Sequence, residues 1–420
     1  MLKSLEQFRG LNCTINTTED CNLRCKYCYE TCKTTRKIDI EKCYKFVDLI
    51  LSTDNFLGLE DDTDMWLYDG RVFDFIGGDS LMNVDILDKI MNYINTKVNI
   101  REVPLKEGWR ASISSNGCLF ENPQVRAFCE KWSENLHLGV SVDGCPEIHD
   151  KNRVFPNGDG SMATILKWWP WYKKYFPREA LQTKATCSKD SIPFLYDSLV
   201  WLHETLGLKY INQNFIMEDM HLNEDDIKEL DRQLELCAKY VLDHSDEMYW
   251  SMIDTNFLPE ASPVDFDDPE DSFYKNGRCG SGRMPTCAID GKIYPCFRWL
   301  AHTQNGKDDV MCVGNVDEGF THIENFVAVQ KGSIRANCTK EEKCRTCEYE
   351  PCCSYCIGGC YAEYGDFTRT THICEVIKLQ CKWARWYWKE YCKKTNTDYD
   401  EFIKTVSMVI KREEELGYER

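Results

Sequence analysis

Strand-like runs alternate with helical periodicity from residue 11 to about residue 245 of this 420-residue chain. Six strand–helix pairs follow one another, and several of the strands end at turn residues such as Gly77-Gly78 and Asn116-Gly117. This alternation predicts an α/β fold with a parallel sheet and right-handed crossovers, with ligands at the carboxyl ends of the strands. Element order alone leaves open whether the sheet is open or closes into a partial barrel. The predicted strands are 11–17, 72–76, 111–115, 138–142, 181–187 and 209–217, and the helices lie near 40–50, 84–94, 122–132, 163–175, 192–202 and 225–242.

Composition excludes several classes of protein. No apolar run approaches the ~20 residues of a membrane-spanning helix, and residues 1–12 lack the plan of a signal peptide. The net charge of −18 argues against a nucleic-acid partner, because such proteins present a basic face. We therefore expect a cytoplasmic protein that binds neither nucleic acid nor membrane.

Cysteine is concentrated towards the carboxyl end. Of 25 cysteines, 14 fall within residues 279–392, and in a reducing compartment such a density indicates metal rather than disulfides. Three prolines among acidic residues make 255–278 a predicted linker or surface loop. The predicted organisation is an α/β domain at 1–254, this linker, a cysteine-organised domain at 279–392 and a helical tail at 393–420.

Three cysteines, Cys21, Cys25 and Cys28, stand within eight positions after the first predicted strand. A structural zinc site takes four protein ligands, and a cubane iron–sulfur cluster usually takes four cysteines. A cluster held by only three leaves one iron open to a substrate. The alternatives are a fragment of a zinc site, or chance in a cysteine-rich chain.

The spacing C-x3-C-x2-C, with the aromatic Tyr27 before the last cysteine, resembles the signature of the radical S-adenosylmethionine superfamily. The resemblance implies a [4Fe-4S] cluster on Cys21, Cys25 and Cys28 whose open iron chelates S-adenosylmethionine. Reductive cleavage then gives a 5′-deoxyadenosyl radical that abstracts a substrate hydrogen. The resemblance also selects a partial (β/α)6 barrel over an open sheet.

Further segments at predicted strand ends resemble the cofactor pocket of that superfamily. Gly77-Gly78-Asp79 resembles the GGE motif that meets the methionyl ammonium, although Asp79-Ser80 replaces the usual Glu-Pro. Asn116 lies in a strand-end segment resembling one near the ribose. Ser141 and Arg153 lie in a stretch resembling the anaerobic sulfatase-maturase branch, where they contact ribose and carboxylate. Taken singly, each segment could be turn chemistry or a surface ion pair. The implied cofactor-binding residues are Tyr27, Gly77, Gly78, Asp79, Asn116, Ser141 and Arg153.

The spacing from Cys279 through Gly291 to Cys296 resembles the opening of the SPASM domain, a cysteine-rich module of many peptide-modifying radical enzymes. Asp290-Gly291 predicts a two-residue hairpin turn. Cys287 is either a further ligand or a small apolar strand residue.

The second half of this module resembles C-x2-C-x5-C-x3-C followed by a distant cysteine, but it holds more thiols than ligand positions. Cys353 and Cys356 are preferred as ligands, then Cys360, then Cys352. The resemblance implies two auxiliary [4Fe-4S] clusters, three clusters in all; paired zinc ribbons are the alternative. Aromatic residues at 383–388 are expected to cover this cluster domain. The implied auxiliary ligands are Cys279, Cys296, Cys344, Cys347, Cys353, Cys356, Cys360 and Cys374.

The family resemblance implies a peptide substrate. The sulfatase-maturase branch carries an aspartate after the cysteine equivalent to Cys296, whereas this chain has Phe297. This difference counts against formylglycine formation. The cysteine-rich auxiliary sites, whose C-x2-C ending resembles that of clostridial-type peptide maturases, instead favour a maturase of a ribosomal precursor peptide, and we expect it to join a Cys sulfur to carbon in a thioether. Its expected partners are a Cys-containing precursor peptide and a reductant such as flavodoxin or ferredoxin. Only 20 residues precede Cys21, too few for a leader-binding domain there, so a leader would be bound by a separate protein, by the carboxyl-terminal domain or not at all. Carbon–carbon crosslinking, epimerisation, sulfatase-type maturation and a non-catalytic iron–sulfur or zinc protein are the alternatives.

Overall fold

The structure is a computed structural model that describes residues 11–52, 70–100, 105, 107–216, 220–261, 284–304, 311–333, 342–353 and 356–415. Cys279 and most of the predicted linker lie outside the described residues.

The first seven strands pair in parallel within two sheets. β1 to β4 lie side by side in chain order, and β5 to β7 form a second sheet. These strands are β1 (Leu11–Thr18), β2 (Gly70–Gly77), β3 (Gly108–Ser115), β4 (Leu136–Val140), β5 (Gln182–Cys187), β6 (Tyr210–Phe215) and β7 (Tyr249–Trp250).

Helices follow the strands in alternation. Those of this part of the chain are α1 (Ile40–Ser52), α2 (Val84–Asn99), α3 (Pro123–Trp132), α4 (Pro146–Asn152), α5 (Met162–Tyr175), α6 (Leu195–Glu204) and α7 (Glu224–Asp243). Short 3-10 turns occupy Ser80–Asn83, Cys118–Glu121, Glu179–Leu181, Lys189–Phe194, Ser251–Ile253, Thr255–Phe257 and Pro259–Ala261. The six predicted strand–helix pairs are confirmed; α4 was not predicted.

The Thr183 side chain bridges the two sheets. The Thr183 hydroxyl of β5 donates to the Val140 carbonyl of β4 at 3.0 Å and accepts from the Val142 N–H at 3.0 Å. The Thr183 side chain thus links β4 to β5, between which no backbone pairing is formed in the described residues. The result is the predicted partial barrel.

Alternate strand residues face opposite sides of the barrel wall. Phe73, Phe75 and Ile113 are buried in the core that the strands share with the surrounding helices. On the intervening positions, His137 of β4 and Lys184 of β5 are exposed. Polar side chains therefore stand at some of the positions that face away from this core.

Past residue 284 the chain adds small strands to the same sheet. β8 (Thr286–Cys287) pairs in parallel with β1, β9 (Lys292–Tyr294) pairs antiparallel with β8, and β10 (Gly314–Asn315) pairs with β9. The cysteine-rich region thus continues the barrel wall.

The hairpin between β8 and β9 differs from the predicted two-residue turn. Cys287 pairs with Ile293, and the Ala288 N–H donates to the Lys292 carbonyl at 2.8 Å, leaving a three-residue loop. Gly291 ends that loop with a φ of +89°, a conformation that suits glycine. The two-residue prediction was wrong because the extra residue is accommodated by this glycine.

The remaining helices include a long one that packs on the barrel. They are α8 (Phe297–Gln304), α9 (Ile323–Ser333), α10 (Glu342–Arg345), α11 (Ile357–Tyr364), α12 (Cys374–Thr395) and α13 (Tyr399–Glu415), with a 3-10 turn at Glu350–Cys352. None of the described helices is long and apolar enough to span a membrane.

The aromatic face of α12 meets the barrel. The Trp383 indole donates to the Asp231 carboxylate of α7 at 2.7 Å, and the Trp388 indole donates to the Ile253 carbonyl at 2.9 Å. The expectation that these residues cover the cluster domain was wrong for these two. These tryptophans pack on the barrel because the apolar stripe of α7 offers a surface against which they can be buried.

Candidate active site

The loop after β1 carries Cys21, Cys25 and Cys28, all partly buried. Its backbone is tied to the region after α4, since the Arg24 N–H donates to the Val154 carbonyl at 2.7 Å and the Lys26 N–H to the Asn152 carbonyl at 3.0 Å. These bonds fix the loop over the carboxyl ends of the strands.

Two of these thiols resist ionisation in the absence of metal. Burial raises the pKa of Cys21 to about 12, the Asp79 charge adds to the shift, and the Leu23 N–H opposes it. Burial also raises the pKa of Cys25, which the Arg153 charge opposes. Metal ligation needs thiolates, so binding here would release protons.

The loop offers three thiols as its donor set. A cubane cluster would bind each of these thiolates through a different iron. Three soft sulfur donors on one loop fit an iron–sulfur cluster.

Gly77 and Gly78, at the end of β2, press against the cysteine loop. A Cβ on Gly77 would lie 2.0 Å from the Thr18 carbonyl oxygen, and one on Gly78 would lie 2.0 Å from the Asp20 carbonyl oxygen and 2.9 Å from the Cys21 Cβ. Glycine is therefore required here for the strand to approach the chain that carries Cys21.

Asp79 is fully engaged within the protein. Its Oδ2 accepts from the Ser115 hydroxyl and the Asn116 N–H, each at 2.9 Å, and its Oδ1 accepts from the Leu81 N–H at 3.1 Å. The carboxylate thus joins the ends of β2 and β3. Burial raises its pKa, and these hydrogen bonds oppose the shift.

Asn116 lies at the end of β3, against the cysteine loop. Its side-chain amide donates to the Asn22 Oδ1 at 2.8 Å and lies 3.9 Å from the Cys21 Sγ. Its Oδ1 accepts from the Cys118 N–H at 2.9 Å. Asn116 therefore places an amide donor next to a predicted cluster ligand.

Tyr27 and Arg153 meet at Asp143, which sequence analysis did not single out. The Arg153 guanidinium contacts the Asp143 carboxylate through Nε at 2.9 Å and Nη2 at 3.1 Å. The Tyr27 hydroxyl donates to the same carboxylate, and the Thr186 N–H donates to it at 3.0 Å. The signal was present in the Ser-x-Asp-Gly segment, where the aspartate falls at a strand end.

Ser141 is half-buried just past β4. Its backbone N–H donates to the Ser115 carbonyl at 3.0 Å, which holds the ends of β3 and β4 together. It belongs to the same register face as the exposed His137, so it lies towards the barrel interior.

The described cysteines of the carboxyl-terminal region form contacts that spacing did not predict. Contact with Cys352 and burial raise the pKa of Cys381, while burial raises that of Cys374, with Cys347 nearby. Cys381 was not among the predicted ligands.

The Cys356 Sγ accepts the Gly359 N–H at 3.4 Å at the start of α11. Cys296, Cys344, Cys347, Cys353 and Cys374 also lie within the described residues, and Cys360 accepts the Thr370 N–H at 3.4 Å.

Cys287 is placed in the barrel core. It is completely buried, burial raises its pKa, and Cys43 of α1 adds to this shift. Cys296 instead belongs to a separate small cluster with Trp299 and Ile357. The environment of Cys287 is that of an apolar strand residue.

A cavity of about 600 Å³ opens beside the cysteine loop. One side is formed by Lys26 to Tyr29, by Thr31 and by the segment after β5, Ser188 to Asp190. The other side comes from α8 and α11, through Arg298 and Gly358. The cavity therefore lies between the first three cysteines and the cysteine-rich region.

No protein-family model matches the chain. Over 373 residues it is 25% identical to the cysteine-type anaerobic sulfatase-maturating enzyme of Clostridium novyi, covering 86% of this chain and 91% of that enzyme. Homologues of this chain are radical S-adenosylmethionine enzymes of the SPASM type. It is itself a radical S-adenosylmethionine enzyme, as its cysteine pattern predicted.

Solved structures support the fold of this radical S-adenosylmethionine enzyme. Native anSMEcpe with bound AdoMet and Kp18Cys peptide matches with a TM-score of 0.66 at 17% identity, over 92% of this chain and 99% of that one. Streptococcus suis SuiB bound to precursor peptide SuiA matches with a TM-score of 0.57 at 15% identity, over 87% and 76%. These structures therefore share the fold of this chain.

Proposed function

We propose that this enzyme matures a ribosomally synthesised peptide by joining a substrate Cys sulfur to a carbon of another residue. The observation that carries the proposal is the cavity of about 600 Å³ between the loop of Cys28 and helices α8 and α11. A peptide seated there would lie between the first cysteine set and the second.

In this proposal Cys21, Cys25 and Cys28 hold a [4Fe-4S] cluster, and the predicted cofactor residues hold S-adenosylmethionine. When bound, this pair supplies a 5′-deoxyadenosyl radical that removes a hydrogen atom from carbon. Asn116 lies against Cys21, and Gly77-Gly78 and Asp79 fix the strand ends around the loop. The Tyr27 hydroxyl is held by the Asp143 carboxylate.

Thioether formation breaks one C–H and one S–H bond and forms one C–S bond. The carbon loses a hydrogen atom, the thiol loses a proton, and one electron leaves the substrate. The carboxyl-terminal cysteines would hold two auxiliary [4Fe-4S] clusters, three in all, and so supply an electron acceptor. This assigns 1–254 to the radical barrel and 279–392 to the auxiliary domain, with 255–278 linking them and 393–420 as tail.

External partners complete the reaction. A flavodoxin or ferredoxin would supply the electron that starts each turnover, and a separate protein would bind the leader of the precursor. The pairing of SuiB with its precursor peptide in a structure of related fold supports a peptide substrate.

The test is to incubate the anaerobically reconstituted enzyme, reductant and S-adenosylmethionine with the precursor peptide encoded beside its gene. Loss of two hydrogens together with loss of an alkylatable thiol supports the thioether. Loss of two hydrogens with every thiol intact indicates carbon–carbon crosslinking, and deuterium uptake without mass loss in ordinary water indicates epimerisation. An unchanged peptide rejects the class.

Sulfatase-type maturation is the second candidate, because the Clostridium novyi relative is a sulfatase-maturating enzyme. Against it, Phe297 follows Cys296, and its ring lies 5.9 Å from that of Tyr29. A sulfatase-motif peptide containing Cys would separate the two, since formylglycine formation yields an aldehyde that a hydrazide probe captures.

A further inference from the structure

A buried ion pair lies beside the loop of Cys21, Cys25 and Cys28. The Lys33 ammonium donates to the Glu30 carboxylate at 2.8 Å, and the two side chains are only 9% and 7% exposed. Glu30 follows Cys28 by two positions in the chain. Two ionised groups this well shielded from water attract each other strongly, because solvent and salt screen them far less than they screen a surface pair.

The segment that carries Lys33 is fixed to the first strand. The Ile38 N–H donates to the Thr17 carbonyl at 3.2 Å, and the Arg36 carbonyl accepts from the Glu19 N–H at 3.1 Å. These backbone bonds follow Lys33 closely in the chain and return it to the end of β1, where the cysteine loop begins. The Lys33 charge therefore has a defined place relative to that loop.

The Lys33 charge acts on the first cysteine set. Burial raises the pKa of Cys21 and of Cys25, and the Lys33 charge is among the groups that oppose this rise at both thiols. Burial alone would lower the pKa of Lys33, but the Glu30 carboxylate and the Cys28 thiolate hold that pKa above its ordinary value. Lys33 is therefore a permanent cation whose field reaches all three cysteines.

A buried pair such as Lys33–Glu30 adds little net stability, because the cost of removing two charges from water offsets most of their attraction. Its cation is better explained by the charge that it presents to the cysteines. A [4Fe-4S] cluster on three thiolates is anionic and gains a further negative charge on reduction, so a fixed cation stabilises the reduced form more than the oxidised form. Charge is one of the factors that set the reduction potential of such clusters.

We infer that the Lys33 ammonium raises the reduction potential of the cluster held by Cys21, Cys25 and Cys28, and that Glu30 moderates this effect. Lys33 acts through the cluster rather than on the substrate, so it is a positioning residue. The inference rests on the cluster assignment in the proposed function and does not depend on which bond the enzyme forms. The electron comes from a low-potential one-electron donor, and a higher cluster potential lets a larger fraction of the enzyme accept it.

The test is a redox titration of the anaerobically reconstituted full-length enzyme, with the reduced cluster followed by electron paramagnetic resonance. The C21A/C25A/C28A variant supplies the signal of the auxiliary clusters, which is subtracted. K33Q should lower the ratio of reduced to oxidised cluster at a fixed solution potential about tenfold, which is about 59 mV for a one-electron couple. E30Q should raise the same ratio several-fold, because it removes a negative charge and leaves the Lys33 cation uncompensated.

Further variants separate charge from shape. K33R keeps the cation and should keep most of the native potential, and the K33Q/E30Q double variant, which is neutral at both positions, should lie between the two single variants. K131Q is the matched control and should leave the potential unchanged, because the Lys131–Asp88 pair between α3 and α2 is 48% and 37% exposed. Circular dichroism and iron content confirm that each variant is folded and loaded.

An unchanged potential in K33Q overturns the inference. Shifts of the same sign in K33Q and E30Q also overturn it, since only an electrostatic effect changes sign with the charge that is removed. Full iron content in the C21A/C25A/C28A variant rejects the cluster assignment and this inference with it. Opposite shifts in an enzyme that leaves the precursor peptide unmodified support the inference and reject the proposed reaction alone.

Discussion

The Arg153 guanidinium forms a two-point ion pair with the Asp143 carboxylate, at 2.9 and 3.1 Å. The pair joins the segment after β4 to the end of α4, and both side chains are largely shielded from solvent. Because Tyr27 donates to the same carboxylate, the pair also positions the aromatic residue of the cysteine loop.

Replacing Asp143 with Asn should destabilise the enzyme by about 3 kcal/mol, because it leaves a buried Arg153 cation without its counter-charge. Urea unfolding followed by tryptophan fluorescence measures the loss. E121Q is the control, since the Glu121–Lys167 pair is exposed and should contribute less than about 1 kcal/mol. Equal losses in both variants would contradict the assigned role.

The decrease in the free energy of unfolding at low pH should depend on the same Asp143–Arg153 pair. Burial alone would raise the pKa of Asp143, but the Arg153 charge and its hydrogen bonds hold that pKa below its ordinary value. The stabilisation is therefore present above about pH 4 and is lost as the pH falls through the folded-state pKa. Unfolding curves below pH 4 should show a steeper loss for the native protein than for D143N.

His149 should make stability depend on pH nearer neutrality. Burial lowers its pKa to about 4, while its ring contacts the Asp143 N–H at 3.3 Å and the Ser161 hydroxyl at 3.0 Å. Between about pH 6.5 and 4 the unfolded chain binds a proton that the folded one does not, so stability should fall by about 3 kcal/mol as the pH is lowered. H149Q should flatten this slope in unfolding experiments, and H322Q, at an exposed position, should preserve it.

Gly78→Ala should impair cluster assembly without unfolding the barrel. The new methyl group would collide with the Asp20 carbonyl and with Cys21, which displaces the cysteine loop. Iron per protein after anaerobic reconstitution should fall by about a third, the share of one cubane in three. G139A is the matched control, because a Cβ there meets only the Ile113 carbonyl oxygen at 3.9 Å. Full iron content in G78A would reject this role.

Cys287→Ala should retain all its iron and lose about 1 kcal/mol of stability through a small core cavity. The reason is its burial beside Cys43 in the barrel core. Cys296→Ala is the paired comparison. It should lose iron, because Cys296 is a predicted iron–sulfur ligand and packs with Trp299 and Ile357 outside the barrel core. Iron analysis of both variants shows whether Cys287 is a ligand. Loss of iron in C287A would indicate that Cys287 binds an auxiliary cluster.

Local pattern predicted much of this protein. Apolar periodicity placed the six strand–helix pairs, since each helix must bury one stripe and each strand one face. The cysteine spacing indicated the loop of Cys21, Cys25 and Cys28, and turn residues marked the strand ends where Asp79 and Asn116 lie. The short helix α4 was missed because seven residues are too few to show a clear period.

Tertiary structure decided what is non-local. The pairing of Thr286 with Thr14, the contact of Cys381 with Cys352, and the packing of Trp383 on Asp231 join residues that are distant in the chain. Asp143 became part of the site only when three separate segments brought Tyr27, Arg153 and Thr186 to it. Sequence determined the elements and their chemistry because those depend on neighbours along the backbone. The partners of the buried charges and thiols were decided by tertiary packing, because these partners are distant in sequence and local spacing does not predict them.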